Sequence, residues 1–284
     1  MAEPRTEWLP PVPQTASGLE QPPGQPDPAP EPERRRGIGA VLVAAAAVAA
    51  KGKALLLLLP KIKLLTTSGT MLVSIAAYAV IWGWQFAVGF VLLLLVHEMG
   101  HVIQLRREGV EASAPVFIPF FGAVVWAKQL GQDAAAEARV GLAGPVLGSV
   151  GAALCIPLWA ATDNNLFRAL AFTGFFLNLF NLVPMLPLDG GRAMAAMAPW
   201  MWLAGLGAMV LAAVLFPNPI ILLVLVLGAF ETWRRWKARR SGDPETEAYY
   251  RVSSRDRLLI AAVYIGLIAA LAFGMHATHL ERTL

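Results

Sequence analysis

Cysteine and charge are both scarce in this sequence, and each scarcity narrows what the chain can be. Cys155 is the single cysteine, so no disulfide can form within the chain and the redox compartment cannot be inferred from it. Charged residues make up only 15% of the 284 residues, whereas 57% are hydrophobic. A water-soluble domain of this size does not need so much apolar surface. The composition therefore predicts a polytopic membrane protein.

The small excess of basic residues does not indicate a nucleic-acid partner. The formal net charge is +4, but the basic residues stand at the ends of apolar segments. Membrane orientation explains this distribution better, because cytoplasmic loops are enriched in lysine and arginine. The expected surroundings are a lipid bilayer, no nucleic acid is expected, and the sequence does not define an oligomeric state.

The first 65 residues fall into two parts. Residues 1–37 are rich in proline and poor in apolar side chains, which predicts a disordered cytoplasmic tail. Residues 38–65 are apolar but interrupted by lysines, which favours an interfacial or partly inserted segment. Two alternatives stay open. The run 38–50 resembles a signal peptide, and a true span at 38–59 would place the tail outside the cell.

Six apolar segments from Thr66 onward approach the roughly 20 residues that cross a bilayer. The predicted spans are 66–84, 86–105, 139–161, 166–186, 198–216 and 258–275. A shorter apolar run at 219–232 begins with prolines and returns the chain across part or all of the membrane. The expected fold class is all-α, a polytopic transmembrane helical bundle of about six spans with a re-entrant loop or short hairpin.

The basic residues fix the orientation of these spans. With this assignment they fall on one side of the membrane, which the positive-inside rule makes the cytoplasm. The residues concerned are Arg34 to Arg36, Lys61, Lys63, Arg106, Arg107, Arg192, Arg234, Arg235, Lys237, Arg239 and Arg240. The sequence thus predicts a multi-pass protein, of a bacterial cell membrane, with its polar motifs toward the cytoplasm.

The second span ends in the pattern H-E-x-x-H, formed by His97, Glu98 and His101. Four residues turn a helix by about 400°, so both imidazoles project from one face and can bind one metal ion. Glu98 is placed to take a proton from water at the metal. His97 lies roughly 16 Å along a span that begins at Phe86, inside the apolar layer. Ionisable groups at such depth call for a compensating partner, which favours a metal over a hydrated helix end.

A third protein ligand is needed, because a zinc site with an open position has three. His276 and His279 lie beyond the last span on the predicted outer side, so a carboxylate is the better candidate. Asp189 stands in NLVPMLPLDGGR, where prolines interrupt the helix and paired glycines permit unusual backbone angles. Alone it would indicate a hydrated turn. Its placement on the same side and at comparable depth as His97 favours a ligand.

HEMGH in one span and NLVPMLPLDGGR in a later one resemble the paired motifs of the site-2 protease family. The resemblance covers about Thr66 to Arg192 and implies an intramembrane zinc metalloprotease that acts on membrane-protein substrates. It implies one zinc per chain, bound by His97, His101 and Asp189, with Glu98 activating water. Residues 66–192 would then be the catalytic membrane core, and 193–284 further spans with a basic cytoplasmic loop.

Two smaller features remain open at this level. The family's asparagine near the aspartate helps to hold the substrate or the reacting carbonyl, and Asn181 occupies that place. Asn178, one turn earlier, is the alternative, and either side chain can simply bond between helices. Residues 115–126 are apolar and broken by proline. They are either a strand edge near the cleft, as the resemblance implies, or an interfacial loop.

Two other functions are compatible with the same ligands. Metal transport requires several acidic or histidine sites spaced across the bilayer, and the sequence offers one cluster. A catalytically silent scaffold would keep the fold, but the glutamate and all three ligands are intact. Gly141, Gly144 and Gly148 in the third span are interpreted as small residues for close helix packing.

Overall fold

The computed structural model describes residues 65–127 and 131–279, and these are overwhelmingly helical. The helices are α1 (Leu65–Trp82), α2 (Trp84–Arg107), α3 (Ala134–Thr162), α4 (Asn165–Asn181), α5 (Asp189–Met197), α6 (Met201–Leu215), α7 (Pro219–Arg240), α8 (Pro244–Tyr249) and α9 (Ser254–Thr278). The all-α fold class is therefore confirmed. The predictions for residues 1–37 and for 38–64 lie outside the described residues.

Four of the described helices are long and apolar enough to cross a membrane: α1, α2, α3 and α9. They correspond to four of the six predicted spans. The other two predicted spans coincide with α4 and α6, which have 17 and 15 residues. At 1.5 Å per residue, α4 covers about 25 Å, less than the roughly 30 Å of a hydrocarbon core. The count of six spans stays a prediction.

Two helix boundaries differ from the predicted spans for identifiable reasons. α4 ends at Asn181 rather than at 186, because Pro184 and Pro187 cannot continue the helix. α3 begins at Ala134, five residues before the predicted start at 139. Asp133 caps it, since its carboxylate accepts a hydrogen bond from the Ala136 amide at 2.7 Å.

The basic cluster near residue 237 lies on a helix rather than in a loop. α7 begins at Pro219, capped by Asn218, and runs without interruption to Arg240. The apolar run at 219–232 is thus only the first part of a 22-residue helix. Lys237, Arg239 and Arg240 occupy its last turn, where cations interact favourably with the helix dipole.

α3 is the central helix of the bundle and packs against α2, α4, α5 and α9. Its apolar face contributes to one continuous core that also includes Leu94 of α2, Phe175 of α4 and Leu271 of α9. Most of the large side chains of α1 and α9 point outward and are exposed, as expected where lipid rather than protein surrounds a helix.

A short antiparallel hairpin follows α2 and lies against α1. β1 (Val116–Ile118) pairs with β2 (Gly122–Val124), and Phe120 in the turn has a φ of 67°. The Phe120 amide donates to the Tyr78 hydroxyl of α1 at 3.0 Å. The segment 115–126 therefore contains a hairpin, and its depth in the membrane stays a prediction.

A buried carboxylate ties the start of α3 to the later helices. Glu137, in the first turn of α3, has no exposed surface. Arg235 of α7 approaches its two oxygens at 2.7 and 2.8 Å, and the Tyr249 hydroxyl donates to it at 2.5 Å. Burial, together with the Glu137 charge, raises the pKa of Tyr249, so the hydroxyl stays protonated and donates. This cluster fastens α7 and α8 to α3.

Glu137→Ala should lower the free energy of unfolding by about 3 kcal/mol, because Arg235 would stay largely buried with Glu231 as its remaining partner and Tyr249 would lose its acceptor. Glu108→Ala is the matched control. Its partner Arg139 has a side chain that is 41% exposed, and such pairs contribute about 1 kcal/mol or less. Denaturant unfolding of both variants in one detergent measures the difference. Equal losses of unfolding free energy in the two variants would contradict the assignment of Glu137 as the main contact that holds α7 and α8 against α3.

Candidate metal centre

Three ionisable side chains from two distant parts of the chain meet in the interior. His97 and His101 lie one turn apart on α2 and are 3% and 6% exposed. Asp189 is the first residue of α5 and is 6% exposed. α5 begins immediately after the extended residue Leu188, so the aspartate points into the bundle at the start of a new helix.

The paired glycines of the second motif are required for space rather than for unusual backbone angles. Gly190 and Gly191 lie within α5 and have no positive φ. A Cβ on Gly190 would collide with the carbonyl of Leu182, and one on Gly191 with the main chain of Met185. Only hydrogen side chains let α5 fold back onto the segment that leads into it. The expectation of unusual angles at these glycines is therefore wrong.

The three candidate ligand atoms form a nearly equilateral triangle. His97 Nε2 lies 3.1 Å from Asp189 Oδ2, His101 Nε2 lies 3.3 Å from the same oxygen, and the two nitrogens are 3.2 Å apart. Tetrahedral zinc with bonds of roughly 2.0–2.1 Å keeps its ligand atoms about 3.3–3.4 Å apart. The described residues contain this one group of histidine, cysteine and acidic side chains close enough to hold a metal. Its donor set and its spacing fit zinc.

Hydrogen bonds behind the histidines present the correct nitrogens to the triangle. His97 Nδ1 lies 2.8 Å from Asn178 Oδ1, and Asn178 Nδ2 donates to the Gly174 carbonyl at 2.7 Å. That second bond sets the amide so that its oxygen faces His97. His101 Nδ1 lies 2.8 Å from the Val140 carbonyl, which can only accept. Both rings therefore carry their proton on Nδ1, which leaves the Nε2 lone pairs for a metal.

The glycines of α3 pack against these same side chains. A Cβ on Gly144 would collide with the His101 ring, and one on Gly148 would collide with the Asn178 amide. These glycines were predicted to let helices pack closely, and the structure shows which side chains they accommodate. They make room for one candidate ligand and for the residue that orients the other.

Glu98 and Arg192 border the triangle without entering it. Glu98 is half-buried on α2, and its carboxylate makes no hydrogen bond or ion pair with any residue that the structure describes. Arg192 Nη1 lies 4.0 Å from Asp189 Oδ1, the oxygen that does not face the histidines. The guanidinium thus compensates the outer side of the carboxylate. In the sequence, Arg192 served only as evidence for the membrane orientation of the spans, and its approach to Asp189 was not predicted.

Of the four remaining candidate residues, two asparagines and two histidines, one asparagine contacts a histidine of the triangle. Asn178 is 2% exposed and contacts His97, whereas Asn181 is half-buried and its side chain makes no hydrogen bond with the described residues. The structure thus places the alternative asparagine at the centre. His276 and His279 lie at the opposite end of α9, where the His279 carbonyl accepts from Arg168 at 2.6 Å. Neither takes part in the triangle.

Fold and site together define a multi-pass membrane protein with a buried His-His-Asp centre and an adjacent free glutamate. Residues 85–164 match the model of peptidase family M50, a stretch that includes His97, Glu98 and His101 and ends before Asp189. The matched family, the site-2 protease family, is the one that the two motifs of this chain resemble.

Two curated relatives are both named as zinc metalloproteases. The chain is 29% identical over 128 residues to the zinc metalloprotease MJ0392 of Methanocaldococcus jannaschii, covering 43% of this chain and 37% of that protein. It is 30% identical over 135 residues to Rip3 of Mycobacterium tuberculosis, also named as a zinc metalloprotease, covering 43% and 34%. The match thus spans only about a third of the length of these relatives.

Asn178→Ala should weaken zinc binding about 10- to 100-fold, because His97 loses the acceptor that fixes its tautomer. Asn178→Asp should retain most of the affinity, since a carboxylate oxygen can still accept from Nδ1. Asn181→Ala is the matched control on the same helix. Competition with a chromophoric chelator measures all three. A loss in Asn181→Ala with none in Asn178→Ala would reverse the assignment.

Proposed function

We propose that this chain is a zinc metalloprotease that hydrolyses peptide bonds of membrane proteins within or next to the bilayer. One observation carries the proposal: three buried ligand atoms, two from α2 and one from α5, converge at zinc spacing directly beside a glutamate that makes no hydrogen bond or ion pair with any described residue. The match of residues 85–164 to peptidase family M50 and the names of the relatives support it. The substrate class follows from the position of the site among membrane-spanning helices.

His97, His101 and Asp189 would hold one zinc ion per chain and leave a fourth position open, as in catalytic zinc sites. When bound, zinc supplies Lewis acidity at that position and polarises a substrate carbonyl. The protein orients both imidazoles through the Nδ1 contacts to Asn178 and Val140, which leaves their Nε2 atoms toward the triangle. The Asp189 carboxylate offers one oxygen to the triangle and the other to Arg192.

Glu98 is the proposed general base. Successive residues of a helix are about 100° apart, so its carboxylate flanks the side of the triangle next to His97. With no partner among the described residues, it is free to accept a proton from the attacking water and to pass it to the leaving amine. Its partial exposure gives water a route to that position.

A substrate helix must unwind before any of these groups can act on it. Within a helix each carbonyl is bonded internally and shielded by neighbouring side chains. Unwinding in hydrocarbon leaves backbone groups unpaired at a cost of several kcal/mol each. An open strand edge on the enzyme would offset part of this cost by pairing with the released segment.

The hairpin has one such open edge, and it belongs to β2. The outer edge of β1 is occupied by α1, because Thr67 donates to the Pro115 carbonyl at 2.8 Å and the Phe117 amide donates to Thr70 at 3.2 Å. Phe117 pairs with Ala123, and both members of such a pair point away from each other. The Ala123 main chain therefore faces away from β1, and no described residue bonds to its amide or carbonyl. An extended substrate would pair there.

The active site is proposed to face the cytoplasm. α2 ends and α3 and α9 begin at the same end of the bundle, where Arg106, Arg107 and Arg139 lie. The basic last turn of α7 reaches that end too. This asymmetry supports the positive-inside orientation. The bacterial origin stays a prediction from the sequence.

Glu98→Gln should retain about one zinc per chain and lose cleavage by roughly 10²- to 10⁴-fold, the usual contribution of a general base. Asp189→Ala should lose both, because a ligand is removed. Metal analysis of purified protein, together with a cleavage assay on a membrane-protein substrate, separates the two effects. Full zinc occupancy in Asp189→Ala would remove it from the ligand set.

Ala123→Pro should lower kcat/KM by about five- to tenfold, because it deletes the outward amide, and one hydrogen bond contributes roughly 1 kcal/mol. An edge strand tolerates proline on its open side. Ala123→Ser keeps the amide and is the control. Unchanged cleavage in Ala123→Pro, with zinc intact, would exclude substrate pairing at β2.

A reporter inserted between α7 and α8 should register as cytoplasmic, and one in the turn between α3 and α4 as external. The first position follows the basic end of α7, and the second contains Asp163 and no basic residue. The opposite pattern would reverse the proposed orientation of the active site.

A further inference from the structure

A lateral groove lies between α2, α3 and α9, with a cavity volume of about 560 Å³. Its long wall is apolar, and several of its side chains are accessible from outside the protein. The apolar lining includes Ile103, Leu142, Val146, Leu147, Leu259 and Val263. A volume of several hundred Å³ is in the range of small-molecule sites. The volume can hold part of an acyl chain.

One end of the groove is polar. Gln104 and Arg107 stand in the last turns of α2, Arg139 near the start of α3, and Asp256 in the first turn of α9. Arg139 is already held by both oxygens of Glu108, at 2.8 and 3.0 Å. Within the described residues, the Arg107 guanidinium makes no hydrogen bond, and the Asp256 carboxylate accepts from the Ser253 hydroxyl at 2.7 Å through one oxygen, which leaves its other oxygen for an occupant. The end of the groove therefore carries charges of both signs.

The groove is distinct from the candidate metal centre. Gly100, Ile103, Gln104 and Arg107 occupy a face of α2 about 90° round from the two histidines. Glu98 lies on the other side of the histidines by a similar angle. An occupant of the groove would thus lie on the side of α2 away from the proposed base.

We propose that the groove binds a phospholipid with an ethanolamine headgroup. The acyl chain would lie along the apolar wall, and the headgroup would lie at the polar end, where α2 finishes and α9 begins. Arg107 would bind the phosphate, since guanidinium groups match phosphate oxygens. Asp256 would accept from the primary ammonium. An anionic glycerol headgroup would leave Asp256 facing net negative charge, and a quaternary choline could not donate to it.

The test uses the full chain in nanodiscs of equal parts phosphatidylethanolamine, phosphatidylglycerol and phosphatidylcholine. After release into the gas phase, native mass spectrometry identifies the lipid retained. We expect about tenfold enrichment of phosphatidylethanolamine over each of the others. Val146→Trp and Leu259→Trp, which fill the groove from different helices, should abolish the enrichment. Phe273→Trp is the control, because Phe273 is exposed on α9 outside the groove.

A second set of variants tests which headgroup the polar end of the groove binds. Asp256→Asn should remove the preference over phosphatidylcholine. Ser253→Ala, which removes the hydrogen bond to the Asp256 carboxylate at 2.7 Å and the N-cap bond from the Asp256 amide at 3.1 Å but keeps the carboxylate, should retain the preference. Enrichment of phosphatidylglycerol, or retention unaffected by both tryptophan variants, would overturn the proposal. Slower substrate cleavage in both tryptophan variants with unchanged lipid retention would also overturn it, in favour of a peptide site. Circular dichroism and zinc content confirm that each variant is folded, and either tryptophan variant alone decides the question.

Discussion

The burial of three ionisable side chains among apolar helices is the constraint on which the rest of the structure depends. Each group costs about 2.5 kcal/mol or more at membrane depth unless a partner compensates it. His97, His101 and Asp189 meet this constraint together, since their ligand atoms lie within 3.3 Å of one another. The same convergence creates a donor set for a metal. A metal bound there would compensate the buried charges and would also be the group that carries out the proposed chemistry.

Holding that triangle requires unusually close helix packing, and α3 provides it. Gly144 leaves room for the His101 ring, and Gly148 leaves room for Asn178, which orients His97. On the far side, Gly190 and Gly191 let α5 fold directly onto the segment after α4. Small residues at helix contacts are the general means by which membrane helices approach closely. Here they set the position of each ligand as well.

The sequence was most informative where the relevant contacts are local. His97, Glu98 and His101 lie within five residues on one helix, so helical geometry alone predicts their arrangement. Asp189 needed an argument about membrane side and depth, and the structure brings it to the same point. The choice between Asn178 and Asn181 depends on which face of α4 meets α2, and this is decided by packing across three helices. The outward edge of β2 is another non-local property, because α1 occupies the competing edge of β1.

X-ray absorption at the zinc edge, on the purified full chain, tests the central claim most directly. The arrangement predicts one zinc with two imidazole nitrogens and carboxylate oxygen at roughly 2.0–2.2 Å, and no sulfur neighbour. In His97→Ala the zinc content should fall, because a ligand is removed, and any zinc that is retained should show one imidazole nitrogen instead of two. A sulfur neighbour near 2.3 Å, or a spectrum unchanged in His97→Ala, would contradict a metal centre built on His97, His101 and Asp189.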